Sequence, residues 1–313
     1  MILVTGGSGF VGLNVVEQLR ARGEPVVVYD LDPPRLDVPF ERGDVSQPLD
    51  AVFSRHAIRR VIHLAAITAD ADRDVREPRR IAEVNLIGTL NVLDAARRHG
   101  VERFVHASTG AVYGAAGVGA PEPLDEERDR PVPDTMYGIT KYAAERSALR
   151  LAALWNIDVR IGRLATAFGR WEHATAARGR LSPPTLIARL ARDGKEAVFP
   201  PVGATDYIYA PDLAAALIAL LDAKAPKHRL YHLGTGAAGS LPEWCELLAR
   251  RRPKFRWRES PRDAECNVLP LARATRTRFS NRRIVEELGW RPRFTLAQAA
   301  DDFLAWMGEH DER

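Results

Sequence analysis

Tyr137 and Lys141 stand four residues apart in the segment TMYGITKYAAER, where apolar residues recur with a helical period. At this spacing both side chains lie on one face of the predicted helix. A tyrosine ordinarily ionises at a pKa of about 10, and a nearby ammonium group favours its phenolate. The pair is therefore a candidate general acid/base with its electrostatic partner. The same spacing also occurs on ordinary amphipathic helices, so the pair alone does not decide.

Two hydroxyl residues, Ser108 and Thr109, end the strand predicted just before this helix. In open α/β sheets, ligands bind at the carboxyl ends of the strands. A hydroxyl donor, the tyrosine and the lysine can therefore converge beside one ligand. The preceding strand ends in HLAA, and we expect a cofactor to lie against the backbone of its last three residues, Leu64, Ala65 and Ala66.

A glycine-rich turn, VTGGSGFVG, follows the first predicted strand and opens the first helix. Gly6, Gly9 and Gly12 are spaced three apart, and the missing Cβ atoms allow a tight turn, close approach of a pyrophosphate, and packing of helix on strand. The backbone N–H groups at the helix start, around Phe10 and Val11, would meet the phosphate charge. This arrangement predicts a dinucleotide-binding loop.

The second predicted strand ends at Asp30, where a carboxylate can accept both ribose hydroxyls of an adenosine. The same charge repels a 2′-phosphate, and Asp32 adds to the repulsion. NAD is therefore favoured over NADP, while a turn residue before two prolines is the alternative role for Asp30. Further along, in the segment GDV, Asp44 could bond the adenine amino group beside Val45.

Short apolar β-branched runs alternate with helical patterns through the first half of the chain. Strands are predicted at 2–5, 26–29, 60–64, 103–107 and 158–163, and helices at 13–22, 81–99 and 137–155. Such alternation is typical of βαβ units. The sequence therefore predicts the α/β class, with a doubly wound parallel sheet of the Rossmann type.

The pattern changes after residue 163. Residues 169–183 carry no clear period and predict an irregular loop, followed by a helix at 211–223, a strand at 230–233 and helices at 241–251 and 281–288. We expect residues 1–165, rejoined by about 205–235, to form an NAD-binding Rossmann domain. Residues 166–204 and 236–313 would form a smaller, discontinuous C-terminal substrate lobe.

The composition is that of an ordinary globular protein, with 46% apolar and 27% charged residues and a net charge of +4 over 313 residues. The basic run at 250–258 is interpreted as a solvated surface or a clamp for an anionic substrate, not as a nucleic-acid site. The two cysteines form neither a disulfide framework nor a metal knuckle, so no metal is expected. No secretory signal or membrane span is expected either, which predicts a cytoplasmic protein with no nucleic-acid or membrane partner.

Taken together, these motifs resemble the short-chain dehydrogenase/reductase superfamily, in its extended class of NAD-dependent nucleotide-sugar epimerases and dehydratases, of which UDP-glucose 4-epimerase is the type. The segments that carry the resemblance are TGGSGFVG at 5–12, the strand-end Asp30, GDV at 43–45, HLAA at 63–66, VNLIGT at 84–89, STGAVYG at 108–114, YGITK at 137–141, DYIYAPDLA at 206–214 and LGWRPRFTL at 288–296. They span nearly the whole chain.

The resemblance implies a role for each matching residue. Tyr137 would be the general acid/base for the carbinol proton, and Lys141 would favour its phenolate and hold the nicotinamide ribose. Thr109 would donate a hydrogen bond to the reacting oxygen, with Ser108 as the adjacent alternative. Asn85 would have a supporting role in the cofactor site. The hydride itself would pass to and from bound NAD.

Dehydratases of this class carry Asp-Glu directly after the catalytic hydroxyl, whereas this chain has Gly110 and Ala111. Neither residue can transfer a proton, so dehydration is disfavoured. Two reactions remain: epimerisation through a transient ketone, and dehydrogenation. A catalytically silent protein that senses NAD(H) is a further, weaker alternative.

The substrate region departs from the family pattern at two positions. Thr166 stands where the class often has a phosphate-contacting Asn, and Thr205 where it often has a diphosphate-binding Arg. Each lost charge-assisted contact is worth about 1.5–3 kcal/mol. Either other residues hold the phosphates, with Arg170, Arg178 and Arg180 as candidates, or the substrate has no diphosphate. The sequence thus predicts a UDP-hexose 4-epimerase type of enzyme, or else a dehydrogenase of a free sugar, polyol or other small alcohol.

The predicted helices at 81–99 and 137–155 carry apolar residues on more than one face. In the family, such helices pair into a four-helix dimer interface. A homodimer is therefore predicted, with packing against the chain's own sheet as the alternative.

Overall fold

The computed structural model describes residues 1–68, 70–270 and 276–310. Strands follow one another along the chain as β1 (Ile2–Thr5), β2 (Val26–Asp30), β3 (Phe40–Arg42), β4 (Arg60–His63), β5 (Arg103–Thr109), β6 (Asp158–Leu164), β7 (Thr166–Phe168), β8 (Ala197–Phe199), β9 (Tyr207–Tyr209), β10 (Leu230–Leu233) and β11 (Trp257–Glu259). Helices are α1 (Phe10–Ala21), α2 (Asp50–Arg55), α3 (Ala71–Arg76), α4 (Pro78–Ala82), α5 (Gly88–Arg98), α6 (Met136–Trp155), α7 (Pro183–Arg192), α8 (Ala210–Asp222), α9 (Leu241–Arg251), α10 (Arg282–Leu288) and α11 (Leu296–His310).

Seven strands form one parallel sheet in the order β10-β6-β5-β4-β1-β2-β3. The order reverses between β1 and β4, so the loops after these two strands border one crevice at the carboxyl edge. Ligands of open α/β sheets bind at such a switch point. The predicted fold class, a doubly wound Rossmann-type sheet with a smaller C-terminal region, is confirmed.

Helices cover both faces of the sheet, which explains why its strands are apolar throughout. On one face, Leu3 of β1 shares a buried cluster with Val92 of α5 and Ala148 of α6. On the other face, Val4 of β1 shares a second cluster with Leu217 of α8. Neighbouring strand residues thus serve opposite layers, because side chains alternate along a strand.

A third apolar cluster lies in the C-terminal region and includes Phe168, Trp244 and Phe303. It joins α7, α9 and α11, and two small parallel pairs, β7 with β9 and β8 with β11, lie beside it. The sequence predicted neither α7 nor α11. Both helices bury their apolar faces against this cluster rather than against the main sheet, so the strand–helix alternation gave no sign of them.

Several predicted elements differ in extent from the observed ones, as α1 does by starting at Phe10 rather than at residue 13. The helix predicted at 81–99 is three pieces, namely α4, a π-helical turn at Glu83–Ile87, and α5. The strand predicted at 103–107 continues to Thr109, because Ser108 and Thr109 keep pairing with β6. The irregular loop predicted at 169–183 is confirmed up to Ser182, whose side chain accepts from the N–H of Thr185 and so starts α7.

Candidate active site

The carboxyl edge of the sheet brings together the hydroxyl, tyrosine and lysine that the sequence singled out. Thr109 ends β5, while Tyr137 and Lys141 lie in the first two turns of α6. The hydroxyls of Thr109 and Thr68 both act on the phenol of Tyr137 and lower its pKa. The phenol therefore lies near two hydroxyls at the edge where a ligand is expected.

The start of α6 fixes where Tyr137 lies. Thr135 caps the helix, its side chain accepting from the N–H of Gly138 at 3.1 Å. A Cβ on Gly138 would lie 2.6 Å from the carbonyl oxygen of Ala111, so this turn of helix packs directly on the turn that follows β5. This backbone contact places Tyr137 on the side of the crevice that carries Thr109.

Burial raises the pKa of Tyr137, because the phenolate loses solvation. The Thr109 hydroxyl, the Arg178 guanidinium and the Thr68 hydroxyl act in the opposite direction and lower it. The site thus contains groups that stabilise a phenolate once other positive charge is present.

Lys141 is fully buried, which lowers its pKa to about 7, while the carboxylate of Glu145 acts to raise it. Its charge also reaches two buried histidines. The pKa of His63 falls to about 3, through burial and then through Lys141, and the pKa of His106 is lowered well below its ordinary value by the same causes and by His63. Both imidazoles are therefore neutral, and Lys141 changes charge near neutral pH.

The structure distinguishes the two neighbouring hydroxyls of β5. Ser108 is buried and donates to Oε2 of Glu145 at 3.0 Å, whereas the Thr109 hydroxyl acts on the phenol of Tyr137 and lowers its pKa. Successive residues of a strand face opposite ways, so both cannot enter the crevice together. Of the two candidates, Thr109 is the one placed to meet a reacting oxygen.

The glycine loop is shaped for close approach of a phosphate. A Cβ on Gly12 would lie 2.2 Å from the carbonyl oxygen of Gly6, and a Cβ on Gly6 would lie 2.6 Å from the backbone nitrogen of Ala65. Gly6 also has a φ of +69°, which side-chain-bearing residues rarely adopt. Gly9 is the N-cap, and no side chain of the described residues caps the helix there. The first N–H groups of α1, around Phe10 and Val11, thus remain available for a pyrophosphate, and the loop fits a dinucleotide.

Asp30 ends β2 directly beside this loop. Its Oδ2 accepts from the N–H of Ser8 at 2.9 Å and its Oδ1 accepts from the N–H of Leu31 at 2.7 Å. Burial raises the pKa of Asp30, and these backbone bonds lower it. The carboxylate is thereby anchored at the predicted ribose position.

Asp44 and Val45 lie in the loop after β3. Asp44 accepts from the N–H of Ser46 at 2.9 Å and forms an ion pair with Arg80. Val45 lies against Gly88, where a Cβ would approach its Cγ2 to 2.6 Å. The carboxylate of Asp44, which is predicted to bond the adenine amino group, is therefore already paired with Arg80.

Asn85 connects the loop after β4 to α6. Its Oδ1 accepts from the N–H of Ile67 at 2.8 Å, and its Nδ2 donates to Ile67 O at 3.0 Å and to the Thr140 hydroxyl at 3.1 Å. The segment so held includes Leu64, Ala65 and Ala66 and ends at Thr68. Asn85 thus orders the backbone that faces the cofactor crevice.

Residues 169–182, here called the covering loop, lie over the same crevice. Thr68 donates its N–H to Ala177 O at 3.0 Å, which fixes the loop beside the segment after β4. The guanidinium of Arg178 lies 5.1 Å from the ring centre of Phe10 and pairs with Glu172 at 2.6 Å. Because Arg178 also acts on Tyr137, a positive charge lies between the glycine loop and the phenol.

The other predicted substrate residues lie further along the same side. Arg170 pairs with Asp302 of α11, and Arg180 lies 3.5 Å from Asp70. Thr166 belongs to β7, and the Thr205 backbone exchanges two hydrogen bonds with Gly239. The Thr205 hydroxyl acts to lower the pKa of Tyr207, the partner of Thr166 in the β7–β9 pair.

Gly110 stands where the resemblance places the dehydratase acid. A Cβ there would lie 2.8 Å from Cζ of Phe279, so a side chain at this position would require the buried ring to shift. The glycine itself supplies no acid.

Sequence reasoning missed Thr68 and the pair formed by Glu145 and Arg163. Thr68 follows the carboxyl end of β4, so the argument used for Ser108 and Thr109 could have found it. Glu145 stands four residues after Lys141, and Arg163 interrupts an apolar strand, so the two charges could have been matched.

Among the described residues, no helix has the length and apolar character needed to cross a bilayer. Within that same part of the chain, no three or more His, Cys, Asp or Glu side chains gather in a group that could hold a metal ion.

Comparison with known proteins identifies the family. Residues 2–234 match the NAD dependent epimerase/dehydratase family. The chain belongs to this family and is an NAD-dependent enzyme of the extended short-chain dehydrogenase/reductase class.

Individual relatives share about a quarter of their residues with this chain. The UDP-glucose 4-epimerase of Corynebacterium glutamicum is 28% identical, over 100% of this chain and 97% of the relative. The solved UDP-glucose 4-epimerase of Thermotoga maritima, with UDP-glucose, is 25% identical with a TM-score of 0.83, covering 98% of both chains. An L-threonine dehydrogenase of Cupriavidus necator, in its holo form, is 25% identical with a TM-score of 0.81, over 97% of this chain and 99% of its own.

Proposed function

We propose that this protein is an NAD-dependent nucleotide-sugar epimerase of the UDP-hexose 4-epimerase type. The observation that carries the proposal is the placement of Thr109 at the end of β5 near the Tyr137 phenol, with Lys141 one turn along α6, at the same sheet edge as the glycine loop. These groups suit the removal and return of a carbinol proton at one carbon.

Tyr137 would accept the proton of the sugar hydroxyl. It would return the proton when the oxidised carbon is reduced on its opposite face. Thr109 would donate a hydrogen bond to the same oxygen, and Thr68 would orient the phenol from its other side. Lys141 would stabilise the phenolate and hold the nicotinamide ribose. When bound, NAD supplies reversible hydride transfer at the nicotinamide.

The remaining cofactor contacts are proposed from position. Gly6, Gly9 and Gly12 with the N–H groups of Phe10 and Val11 would cradle the pyrophosphate. The ribose would bond to Asp30, and the adenine would lie near Asp44 and Val45. Leu64, Ala65, Ala66, Asn85 and Ser108 would form or support the nicotinamide end.

Two features favour epimerisation within the family. Gly110 excludes the dehydratase acid, both by its chemistry and by the contact that a Cβ would make with Phe279. In addition, UDP-glucose 4-epimerases from several organisms align with almost the whole chain.

A second candidate is an NAD-dependent dehydrogenase of a small alcohol that carries no diphosphate. Thr166 and Thr205 favour it, because neither supplies a charge to a diphosphate. The L-threonine dehydrogenase of similar fold is consistent with it. Under the first candidate, Arg178 is the best placed of the predicted arginines, because its charge acts on Tyr137, although Glu172 pairs with it.

The two candidates differ in whether NADH accumulates. UDP-glucose and its 4-epimer would each be incubated with the protein and NAD, with both sugars followed by chromatography and NADH by its absorbance. We expect interconversion of the sugars without net NADH. NADH formation with L-threonine or a polyol, and no sugar conversion, would select the second candidate.

We further propose the division into an NAD-binding domain (1–165, rejoined by about 205–235) and a substrate lobe (166–204 and 236–313), which the separate apolar cluster around Phe168 supports. A cytoplasmic homodimer is also proposed. Ile87, Ile139 and Leu154 are exposed along the helices that the resemblance implicates in the interface. Light scattering of the purified protein would measure the mass of the assembly, and a monomer would refute the dimer.

A further inference from the structure

Glu145 is a fully buried carboxylate on the helix that carries Tyr137 and Lys141. The three residues follow one another at intervals of four, so they lie along one face of α6. Glu145 is the side chain whose negative charge acts on Lys141. A buried anion beside a buried lysine has electrostatic consequences, because charges interact more strongly away from water.

Three hydrogen bonds hold the Glu145 carboxylate in place. Oε2 accepts from Arg163 Nε at 3.0 Å and from Ser108 Oγ at 3.0 Å, and Oε1 accepts from Arg163 Nη2. This bidentate contact with a planar guanidinium fixes the orientation of the carboxylate. The carboxylate is therefore fixed on the buried face of α6 that also carries Lys141.

Arg163 is itself held by a hydrogen bond to a further buried side chain. Its Nη1 donates to the Tyr113 hydroxyl at 2.6 Å, and that hydroxyl lies 2.6 Å from Nε2 of His232. The pKa of His232 is lowered to about 3 by burial and then by Arg163, so this imidazole is neutral. Ser108, which is the neighbour of Thr109 on β5, ties the same carboxylate to the strand that carries the candidate hydroxyl donor.

The elements that pack on this part of α6 contribute few charges. Among the described residues, the titratable groups whose charge interacts with that of Lys141 or Glu145 are His63 of β4, His106 of β5, Arg163 of β6 and Tyr113 of the turn after β5. Both histidines are neutral, and the pKa of Tyr113 is raised by burial, so it is neutral too. Arg163 is the remaining cation, and it faces Glu145 in a bidentate pair.

We propose that Glu145 is a positioning residue that keeps Lys141 cationic beside Tyr137, with its own orientation fixed by Arg163 and Ser108. The benefit to Tyr137 rests on the proposed function, whereas the effect on the charge of Lys141 does not. Without this effect on Lys141, the buried pair of Glu145 and Arg163 would indicate only a structural role.

The charge of Lys141 can be measured directly, because the chain has only five lysines. Protein labelled at the lysine Cε would give five NMR signals, and the signal lost in Lys141→Arg identifies the residue. In Glu145→Gln we expect the titration midpoint of Lys141 to fall by about one pH unit, the size of effect that a neighbouring charge has on a pKa. No substrate or cofactor is needed, so a wrong proposed function would not affect this result.

Two further variants separate charge from stability. Tyr113→Phe removes a hydrogen bond from Arg163 without changing any charge, so it should lower the melting temperature and leave the Lys141 midpoint in place. Glu145→Gln leaves Arg163 buried without its partner and could unfold the protein. Glu145→Gln/Arg163→Met removes both charges, and its Lys141 midpoint should still fall, by less, because a repelling cation is lost as well.

A midpoint of Lys141 that is the same in Glu145→Gln, or in the double variant, as in the wild type overturns the proposal. An equal fall in Tyr113→Phe would also overturn it, since loosened packing would then be the cause.

Activity provides a second readout. With less cationic Lys141 at a given pH, Tyr137 would form its phenolate only at higher pH, so the acidic limb of kcat/KM should move upward in Glu145→Gln by up to about one unit. Glu145→Asp retains the charge and should move it less. A rate reduced equally at every pH would indicate a structural role and contradict the proposal.

Discussion

The cofactor edge of the sheet and the region under the covering loop are built from different kinds of contact. At the cofactor edge, backbone meets backbone, as where Gly12 lies against Gly6 and Gly6 against Ala65. Under the covering loop, charged side chains far apart in sequence hold the chain in place, as in the pair of Arg170 with Asp302. The cofactor edge thus depends on the absence of side chains, and the covering loop on their presence.

This difference separates chemistry from specificity. Thr109, Tyr137 and Lys141 belong to β5 and α6, which are regular elements anchored in the main sheet. Arg178 belongs to an irregular loop whose position depends on Glu172. Changes at the cofactor edge should therefore affect turnover or NAD binding, whereas changes in the loop should affect substrate recognition.

The largest effect is expected at Tyr137. Tyr137→Phe removes the hydroxyl proposed to transfer the proton and should lower kcat about a thousandfold, within the range that general acid/base catalysis contributes. Its affinity for NAD should stay near that of the wild type, as measured by calorimetry. Tyr142→Phe, on the same helix, is the matched control and should retain activity. Undiminished turnover in Tyr137→Phe would refute the catalytic assignment and favour the NAD(H)-sensing alternative.

The next effect is expected in the glycine loop. Gly12→Ala places a Cβ 2.2 Å from the carbonyl oxygen of Gly6, which must shift. Overpacking of this kind costs about 1–3 kcal/mol of the free energy of unfolding. Because the displaced loop would no longer match the pyrophosphate, we also expect NAD binding to weaken by about tenfold, which corresponds to about 1.4 kcal/mol of binding free energy. Gly308→Ala, in open space on α11, should instead stabilise the protein slightly. Normal NAD affinity in Gly12→Ala would mean that the loop does not cradle the pyrophosphate.

A smaller effect is expected at Asp30, and it concerns cofactor choice. Asp30→Ala removes an acceptor for the ribose hydroxyls and the charge that repels a 2′-phosphate. A charge-assisted hydrogen bond is worth about 1.5–3 kcal/mol, so the ratio of NAD to NADP affinity should fall by about 10- to 100-fold. Titration of both cofactors measures the ratio. An unchanged ratio would mean that Asp30 is a turn residue and does not bind the ribose.

The smallest of these effects is expected under the covering loop. Glu172 is fully buried and accepts from Ser182 and Arg178, so Glu172→Gln should leave the loop less firmly held. We expect KM for the substrate to rise about tenfold, the lower end of the value of such a bond. NAD affinity should change less than KM, and Glu122→Gln on the surface serves as control. If NAD affinity fell by a larger factor than KM rose, the proposed difference in function between the cofactor edge and the covering loop would be wrong.

The two regions also differ in how far the sequence predicted them. The parallel sheet and glycine loop follow from strand periodicity and glycine spacing, because those contacts are local or repeat along the chain. The contact of Thr109 and Tyr137 followed from the rule that strand ends meet at one edge. The positions of Arg170 and Arg178 did not follow, since they depend on Asp302 and Glu172, and no local pattern connects those residues.

The central claim is that the enzyme returns the hydride to the sugar from which it came. An enzyme working in this way has to retain its cofactor through the cycle. The most direct measurement is to denature the purified protein and quantify the released NAD and NADH, then to add substrate with free NAD and record NADH. We predict about one dinucleotide released per chain, with sugar epimerised and no NADH formed in proportion to it. Protein that releases no dinucleotide, and that reduces free NAD in proportion to alcohol consumed, would contradict the account.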